Sequence, residues 1–284
     1  MTTRPITVVG SINLDFVATA ATLPAPGETV TNATLTRHPG GKGANQALAA
    51  RRLGVSVRLI GRVGADGMAD EALALLRRDG VDLSGVTVDA KEPTGVALIA
   101  VSASGENQIV VASGANGAFT PDQLAAPVAD ALICQLELPL DTVAKAVASA
   151  AGFVCVNLAP AHDAPASIIQ RADLIVVNEG EAAVYGARLH VANALVAITY
   201  GAKGAALFQH GKQLASAAPP KITAVDTTGA GDAFVAALTV ALLENLPHAD
   251  ALAFACAAGA VTATRPGAQT SLPTRAEIET LLHR

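Results

Sequence analysis

The segment Asp226-Thr227-Thr228-Gly229-Ala230-Gly231-Asp232-Ala233-Phe234 runs a glycine-rich turn straight into an apolar stretch, residues 233–243. Free N–H groups at a helix start, with the helix dipole behind them, attract anions, and glycines let the backbone approach one closely. Asp232 stands at the mouth of such a site, where a carboxylate could take the proton of an attacking hydroxyl. The same residues also suit an ordinary turn with Asp232 as a helix cap.

A second cluster, Gly40-Gly41-Lys42-Gly43-Ala44-Asn45-Gln46-Ala47, opens the helical stretch 44–53. Lys42 can bring positive charge to a phosphoryl group, and Asn45 can both donate to and accept from a sugar hydroxyl. A tight loop with a solvated lysine is the other reading. Asn13 and Asp15 follow the first strand-like run and, two apart in extended chain, share a face. An amide beside a carboxylate suits vicinal hydroxyls; a solvated strand end is the alternative. Glu137 and the segment Asn178-Glu179-Gly180-Glu181 also follow strand-like runs. In open parallel sheets ligands bind beyond the carboxyl ends of the strands, so these positions reinforce one another.

The elements that must position these residues alternate along the chain. Strand-length apolar runs lie at 6–9, 57–63, 131–136, 154–157, 174–178 and 194–199. Helical stretches lie at 44–53, 68–79, 124–130, 140–151 and 181–185. This alternation predicts an α/β fold with a mainly parallel central sheet sandwiched by helices. Two places break the rhythm: 14–36, split by Pro24-Ala25-Pro26-Gly27, and a hairpin over 94–113 around Ser104-Gly105-Glu106. With no helices between their strands they predict a small separate sheet, which must pack on a ligand, the main domain or a second copy.

Composition excludes several classes. The chain has 284 residues, 51% hydrophobic and 15% charged, which is the opposite of a disordered composition. Its mean hydropathy is +0.42, yet the longest apolar runs, 233–243 and 251–263, fall short of the roughly 20 residues a membrane span needs. Asn13 and Asp15 interrupt the apolar start, so no secretory signal is expected. Cys134, Cys155 and Cys256 are widely spaced in apolar runs and read as buried, reduced thiols of a cytoplasmic protein. A net charge of −5 without basic runs speaks against a nucleic-acid partner. The six histidines have no ligand spacing, and G-x-G-x-x-G, G-x-x-x-x-G-K-[ST] and G-x-S-x-G are all absent.

Taken together, the segments Gly10–Asp15, Gly40–Ala47, Ser113–Asn116, Gln135–Glu137, Asn157–Ala161, Asn178–Glu181, Asp226–Phe234 and Gly267–Ser271 resemble the ribokinase-like sugar kinases, in order and over nearly the whole chain. The resemblance implies a main domain (1–13, 38–93 and 114–284) and a β-sheet lid (14–37 and 94–113), with two lids clasped in a homodimer. It implies ATP-dependent phosphorylation of D-ribose at its 5-hydroxyl, with Asp232 as base and the backbone of Gly229, Ala230 and Gly231 as anion hole. Asn13, Asp15, Gly41, Lys42, Gly43, Asn45 and Glu137 would hold the sugar. Asn178 and Glu181 would influence Mg²⁺ and phosphate. Thr199, Tyr200, Gly201, Ala202, Lys203, Gly204, Gly231 and Cys256 would line the nucleotide pocket. An activating K⁺ would sit among Asp226, Thr228, Thr262, Arg265, Gly267 and Ser271. A kinase for another sugar or a nucleoside is the alternative, and a non-catalytic sugar sensor a remote one. Two departures from the family lie beside the nucleotide region: a short connection, 179–193, and Tyr200 where Leu is common.

Overall fold

A strand presents successive side chains to opposite faces of its sheet, so a strand that is apolar throughout needs cover on both sides. The computed structural model describes residues 4–124, 130–190 and 193–283 and meets this need with helices on each face. The chain begins with β1 (Ile6–Val9), β2 (Asn13–Ala20) and β3 (Thr34–Gly40), then α1 (Lys42–Arg52), β4 (Val57–Gly64), α2 (Gly67–Arg78) and β5 (Asp82–Asp89). The hairpin β6 (Gly95–Ser102) and β7 (Asn107–Ala112) follows, then β8 (Ala131–Cys134), α3 (Leu140–Ser149), β9 (Phe153–Asn157), α4 (Ala166–Arg171), β10 (Leu174–Asn178) and α5 (Glu179–Tyr185). The last part is β11 (Leu195–Thr199), β12 (Ala205–Gln209), β13 (Lys212–Ala217), α6 (Ala230–Leu243), α7 (His248–Ala263), α8 (Ala268–Ser271) and α9 (Arg275–Leu282).

The large sheet has nine strands in the order β13-β12-β11-β10-β9-β8-β1-β4-β5. Its pairs are parallel from β5 through β11, and β12 and β13 add antiparallel at one edge. Alternate residues enter different cores. Cys155, Leu174 and Val176 join α1, α2, α6 and α7 on one face. Val154, Val156, Ile175 and Val177 join α3 and α4 on the other. The short connection flagged above is spanned by α5 and a single 3-10 turn, Gly186–Leu189. The helix expected over 124–130 lies almost wholly outside the described residues.

Helices α6 and α7 are apolar nearly all round and buried over most of their length. Alanine is prominent among the core residues they contribute: Ala233, Ala236, Ala237 and Ala241 on α6, and Ala251, Ala255, Ala257 and Ala258 on α7. Side chains this small bring the backbones together. A methyl group built on Gly259 of α7 would come within 3.2 Å of the Ala230 carbonyl oxygen.

The second sheet has four strands, β3-β2-β6-β7. It joins the first through the three residues between β1 and β2, and β2 pairs parallel with β6, Asn13 opposite Gly95 and Asp15 opposite Ala97. Leu35, Leu98, Ile109, Val110 and Val111 are exposed on it. Among the described residues no helix is long and apolar enough to cross a membrane. All three cysteines are buried and free, as expected.

Arg52, at the end of α1, ties that helix to the segment carrying α8. Its guanidinium donates to the carbonyls of Gln269 (2.8 Å) and Leu272 (2.7 Å) and pairs with Asp79 at 2.8 Å. Replacing it leaves two carbonyls without their donor and takes from Asp79 its less exposed arginine partner. Arg52→Ala should lower the unfolding free energy by about 3 kcal/mol in a denaturant titration. Arg78→Ala, on the solvent side of the same Asp79, should leave the midpoint near the wild-type value.

Candidate active site

The two glycine turns meet. Gly229 caps α6 with φ of 79°, the left-handed conformation that favours glycine, and a side chain there would also press on Ala268 at 3.0 Å. This turn aims the first residues of α6 at the start of α1. Asp232, in the first turn of α6, is only 7% exposed. Its Oδ2 accepts from Asn45 Nδ2 at 2.8 Å and its Oδ1 from Gln46 Nε2 at 2.8 Å. Gly231 faces open space. Of the expected anion-hole donors, Ala230 spends its N–H on the Thr227 carbonyl at 3.1 Å. That leaves Gly231 and Asp232 with first-turn N–H groups for which the helix has no acceptor.

The start of α1 is pinned to the turn after β1. Gly43 lies so close to Gly10 that a methyl group would sit 2.4 Å from the Gly10 carbonyl carbon. Ser11 accepts on its carbonyl from Ala44 N–H at 2.9 Å, and its hydroxyl accepts from Gly43 N–H at 3.3 Å. Glu137, at the exit of β8, accepts from the Ser11 hydroxyl at 2.5 Å and from Lys42 N–H at 3.1 Å. Asn116 donates to the Asn13 side-chain oxygen at 2.8 Å while bonding both N–H and C=O of Ile12. The Asn13 amide is thereby turned so that its own NH₂ remains for a ligand. Asn13, Asp15, Gly41, Lys42, Gly43, Asn45, Glu137 and Asp232 thus come together in one region.

The charges there are closely coupled. Burial pushes the Asp15 carboxyl up to about 7, and Glu137 and Asp232 add to the rise while Lys42 opposes it. Burial also raises the Asp232 carboxyl; Lys42 and the amides of Asn45 and Gln46 pull back, without cancelling the rise. Burial works against the Lys42 ammonium, yet Asp232, Glu137, Glu181 and Asp15 together hold it above its ordinary value. Lys42 is therefore the shared counter-charge of four carboxylates.

The residues predicted for nucleotide form a row across the sheet. Asn178 lies opposite Thr199, Thr199 opposite Ala205, and Ala205 opposite Ala217. The Cys256 thiol on α7 contacts the Ala217 carbonyl at 3.7 Å. Tyr200 N–H closes the turn through Gly201, Ala202 and Lys203 by donating to Gly204 O at 2.8 Å. Asn178 and Glu181 cap α5 reciprocally, each side chain accepting from the other's N–H at 2.8 Å. Burial raises the Glu181 carboxyl, with Lys42 opposing, so Glu181 faces the same region as Lys42.

The residues predicted for a monovalent cation come from two turns. Asp226 accepts from Thr228 N–H at 2.9 Å and from Gly267 N–H at 2.8 Å. Burial raises the Asp226 carboxyl, but these bonds outweigh it and hold it below the usual range. Thr262 and Arg265 are joined by a 3.3 Å backbone bond, and Ser271 turns its hydroxyl to Ala268 O at 2.8 Å. The Arg265 guanidinium pairs with Glu277, so only its carbonyl could serve a cation. The ionised Asp226 carboxylate, bonded across the two turns, is an oxygen donor of the kind a monovalent cation takes.

Sequence reasoning gave no role to Gln46, Gln135, Asn157 or Asn116. All four are buried amides, and each lies in a segment that carries the family resemblance, which named no partner for it.

A model of the pfkB family of carbohydrate kinases matches residues 3–275. The ribokinase of Haemophilus influenzae is 38% identical over 304 aligned residues, covering 99% of each chain. The solved ribokinase of Thermotoga maritima superposes with a TM-score of 0.88 at 31% identity, covering 99% of this chain and 100% of that one. That of Arabidopsis thaliana, complexed with ribose and ATP, gives 0.83 at 29% identity and 99% coverage of both.

The raised Asp15 carboxyl has a consequence for stability. The folded chain holds that proton up to about 7, whereas the unfolded chain releases it near 4, so stability falls as pH rises through this window. Asp15→Asn removes the loss. Thermal or denaturant unfolding without ligand should find the variant more stable than wild type above pH 7, by up to about 4 kcal/mol. The difference should shrink toward pH 4.

Proposed function

The chain belongs to the pfkB family of carbohydrate kinases, and from that premise we infer an ATP-dependent phosphorylation of D-ribose at the 5-hydroxyl, giving D-ribose 5-phosphate. The chain is a sugar kinase. The observation that carries the assignment of roles is the buried Asp232 carboxylate at the start of α6, bonded to Asn45 beside the open Gly231.

The 5-hydroxyl oxygen of ribose attacks the γ-phosphorus of ATP. The new O–P bond forms as the bond to the β,γ-bridging oxygen breaks, and ADP leaves. Asp232 takes the hydroxyl proton. The first-turn N–H groups at Gly231 and the Lys42 ammonium stabilise negative charge on the moving phosphoryl group. Asn13, Asp15, Asn45 and Glu137 orient the sugar through its other hydroxyls, which makes the attack effectively intramolecular. Phe16 packs against the aliphatic core instead of standing free as a shelf for a base, which favours a sugar over a nucleoside.

ATP occupies the row from Asn178 through Thr199 and the 200–204 turn to Cys256. Mg²⁺, bound with ATP, would supply charge neutralisation on the phosphates, and Glu181 and Asn178 would offer oxygen donors to it. K⁺ would be held among Asp226, Thr228, Thr262, Arg265, Gly267 and Ser271, where it would fix the turn that presents Gly229 and Gly231. The small sheet, 14–37 and 94–113, is the lid, and its exposed Leu98, Ile109 and Val110 support pairing with a second copy. The enzyme works in the cytoplasm.

Asp232→Asn should fold, bind ribose within a few-fold of wild type by calorimetry and lose at least about 100-fold in kcat. Near-full turnover would remove Asp232 from its role. A coupled assay of ADP release should run faster in K⁺ than in Na⁺ or Li⁺; equal rates would overturn the cation site.

A further inference from the structure

We propose that Gln46 is a positioning residue for this reaction: its side-chain amide, locked in one orientation by Gln135 and Asn157, sets the plane of the Asp232 carboxylate. The inference rests on Asp232 acting as the base. Gln46 is 0% exposed, so it touches neither sugar nor nucleotide and acts through Asp232.

Its orientation is over-determined. Gln46 Oε1 accepts from Gln135 Nε2 at 2.7 Å. Its Nε2 uses both hydrogens, on Asp232 Oδ1 at 2.8 Å and on Asn157 Oδ1 at 3.1 Å. Reversing the amide would set its oxygen against two acceptors and its NH₂ against the NH₂ of Gln135. Asn157 cannot turn to relieve this, because its own Nδ2 donates to Val176 O at 3.1 Å. Asn45, the preceding residue of α1, holds the other carboxylate oxygen at 2.8 Å.

Two neighbouring residues of one helix therefore grip both oxygens of Asp232, and the carboxylate cannot rotate without breaking a buried bond. Each oxygen keeps a further lone pair for another donor. Lys42 from α1, Glu137 beyond β8 and Asp15 from β2 also act on this carboxylate. Replacing Gln46 removes none of them. It removes one hydrogen bond to the charged form, which favours protonation.

The test compares kcat, ribose KM and the pH profile of kcat for wild type, Gln46→Leu and the isosteric Gln46→Glu, with Asp232→Asn alongside and ribose affinity measured by calorimetry. Both Gln46 variants should lose about tenfold or more in kcat and keep ribose KM and affinity within about threefold. The acid limb of kcat should move up by about one pH unit. Gln46→Glu keeps the shape of the side chain and carries the test where the leucine variant does not fold. Loss of the fold in both, or an unmoved acid limb with kcat scaled only by the folded fraction, overturns the proposal. Full turnover in Asp232→Asn removes its premise instead; an inactive Asp232→Asn beside an unmoved limb in the Gln46 variants overturns the role of Gln46 alone.

Discussion

A carboxylate withdrawn from water loses hydration that only nearby donors and counter-charge can replace. Asp232 is withdrawn in this way at the start of α6, and the structure around it is arranged to replace that hydration. Asn45 and Gln46 supply the hydrogen bonds, Lys42 supplies the charge, and all three come from the first two turns of α1. The position of α1 is in turn dictated by the contact of Gly43 with Gly10 and by Ser11 and Glu137. The compensation is incomplete, since Asp232 and Asp15 both remain easier to protonate than ordinary carboxyls. Carboxyls held in this way gain from any partner whose hydroxyls donate to them.

The fold places each partner at a strand or helix end. Asn13 and Asp15 begin the central part of the small sheet, Glu137 follows β8, Asn178 ends β10, and Asp232 and Lys42 open helices. Parallel strands bring these ends to one edge, which is why residues far apart in sequence meet there. The row from Asn178 to Cys256 extends the same edge through the antiparallel pair β12 and β13.

Much of this was legible locally. Strands 6–9 and 174–178 occur at their predicted limits because they are uninterrupted apolar runs, and the glycine turns announced α1 and α6. Strand β5 escaped notice because its sequence, Asp82–Asp89, is largely exposed and polar, as an edge strand can be. Strands β12 and β13 escaped because their sequences, Ala-Ala-Leu-Phe-Gln and Lys-Gln-Leu-Ala-Ser-Ala, hold no β-branched residue and much alanine. Glu137 has no local signal beyond following a strand-like run; its bonds are to Ser11 and Lys42, which are distant in the chain. Gln46, Gln135 and Asn157 were visible as polar residues in apolar settings, but that they bond one another is decided by three elements converging, and no single stretch of sequence records it.

The alanines that α6 and α7 bury have a consequence in degrees of freedom. An alanine has no side-chain torsion to fix, so each of these positions is packed at no rotamer cost, unlike Phe234, Leu238, Leu252 and Phe254 beside them. The wall behind Gly231 and Asp232 also has few parts that can relax. Hydrogen-bond donors held on such a wall reorient little, and donors that need not reorient add no reorganisation cost when charge develops beside them. The abundance of alanine in this chain then sets the mechanical character of the site as well as the tightness of the core.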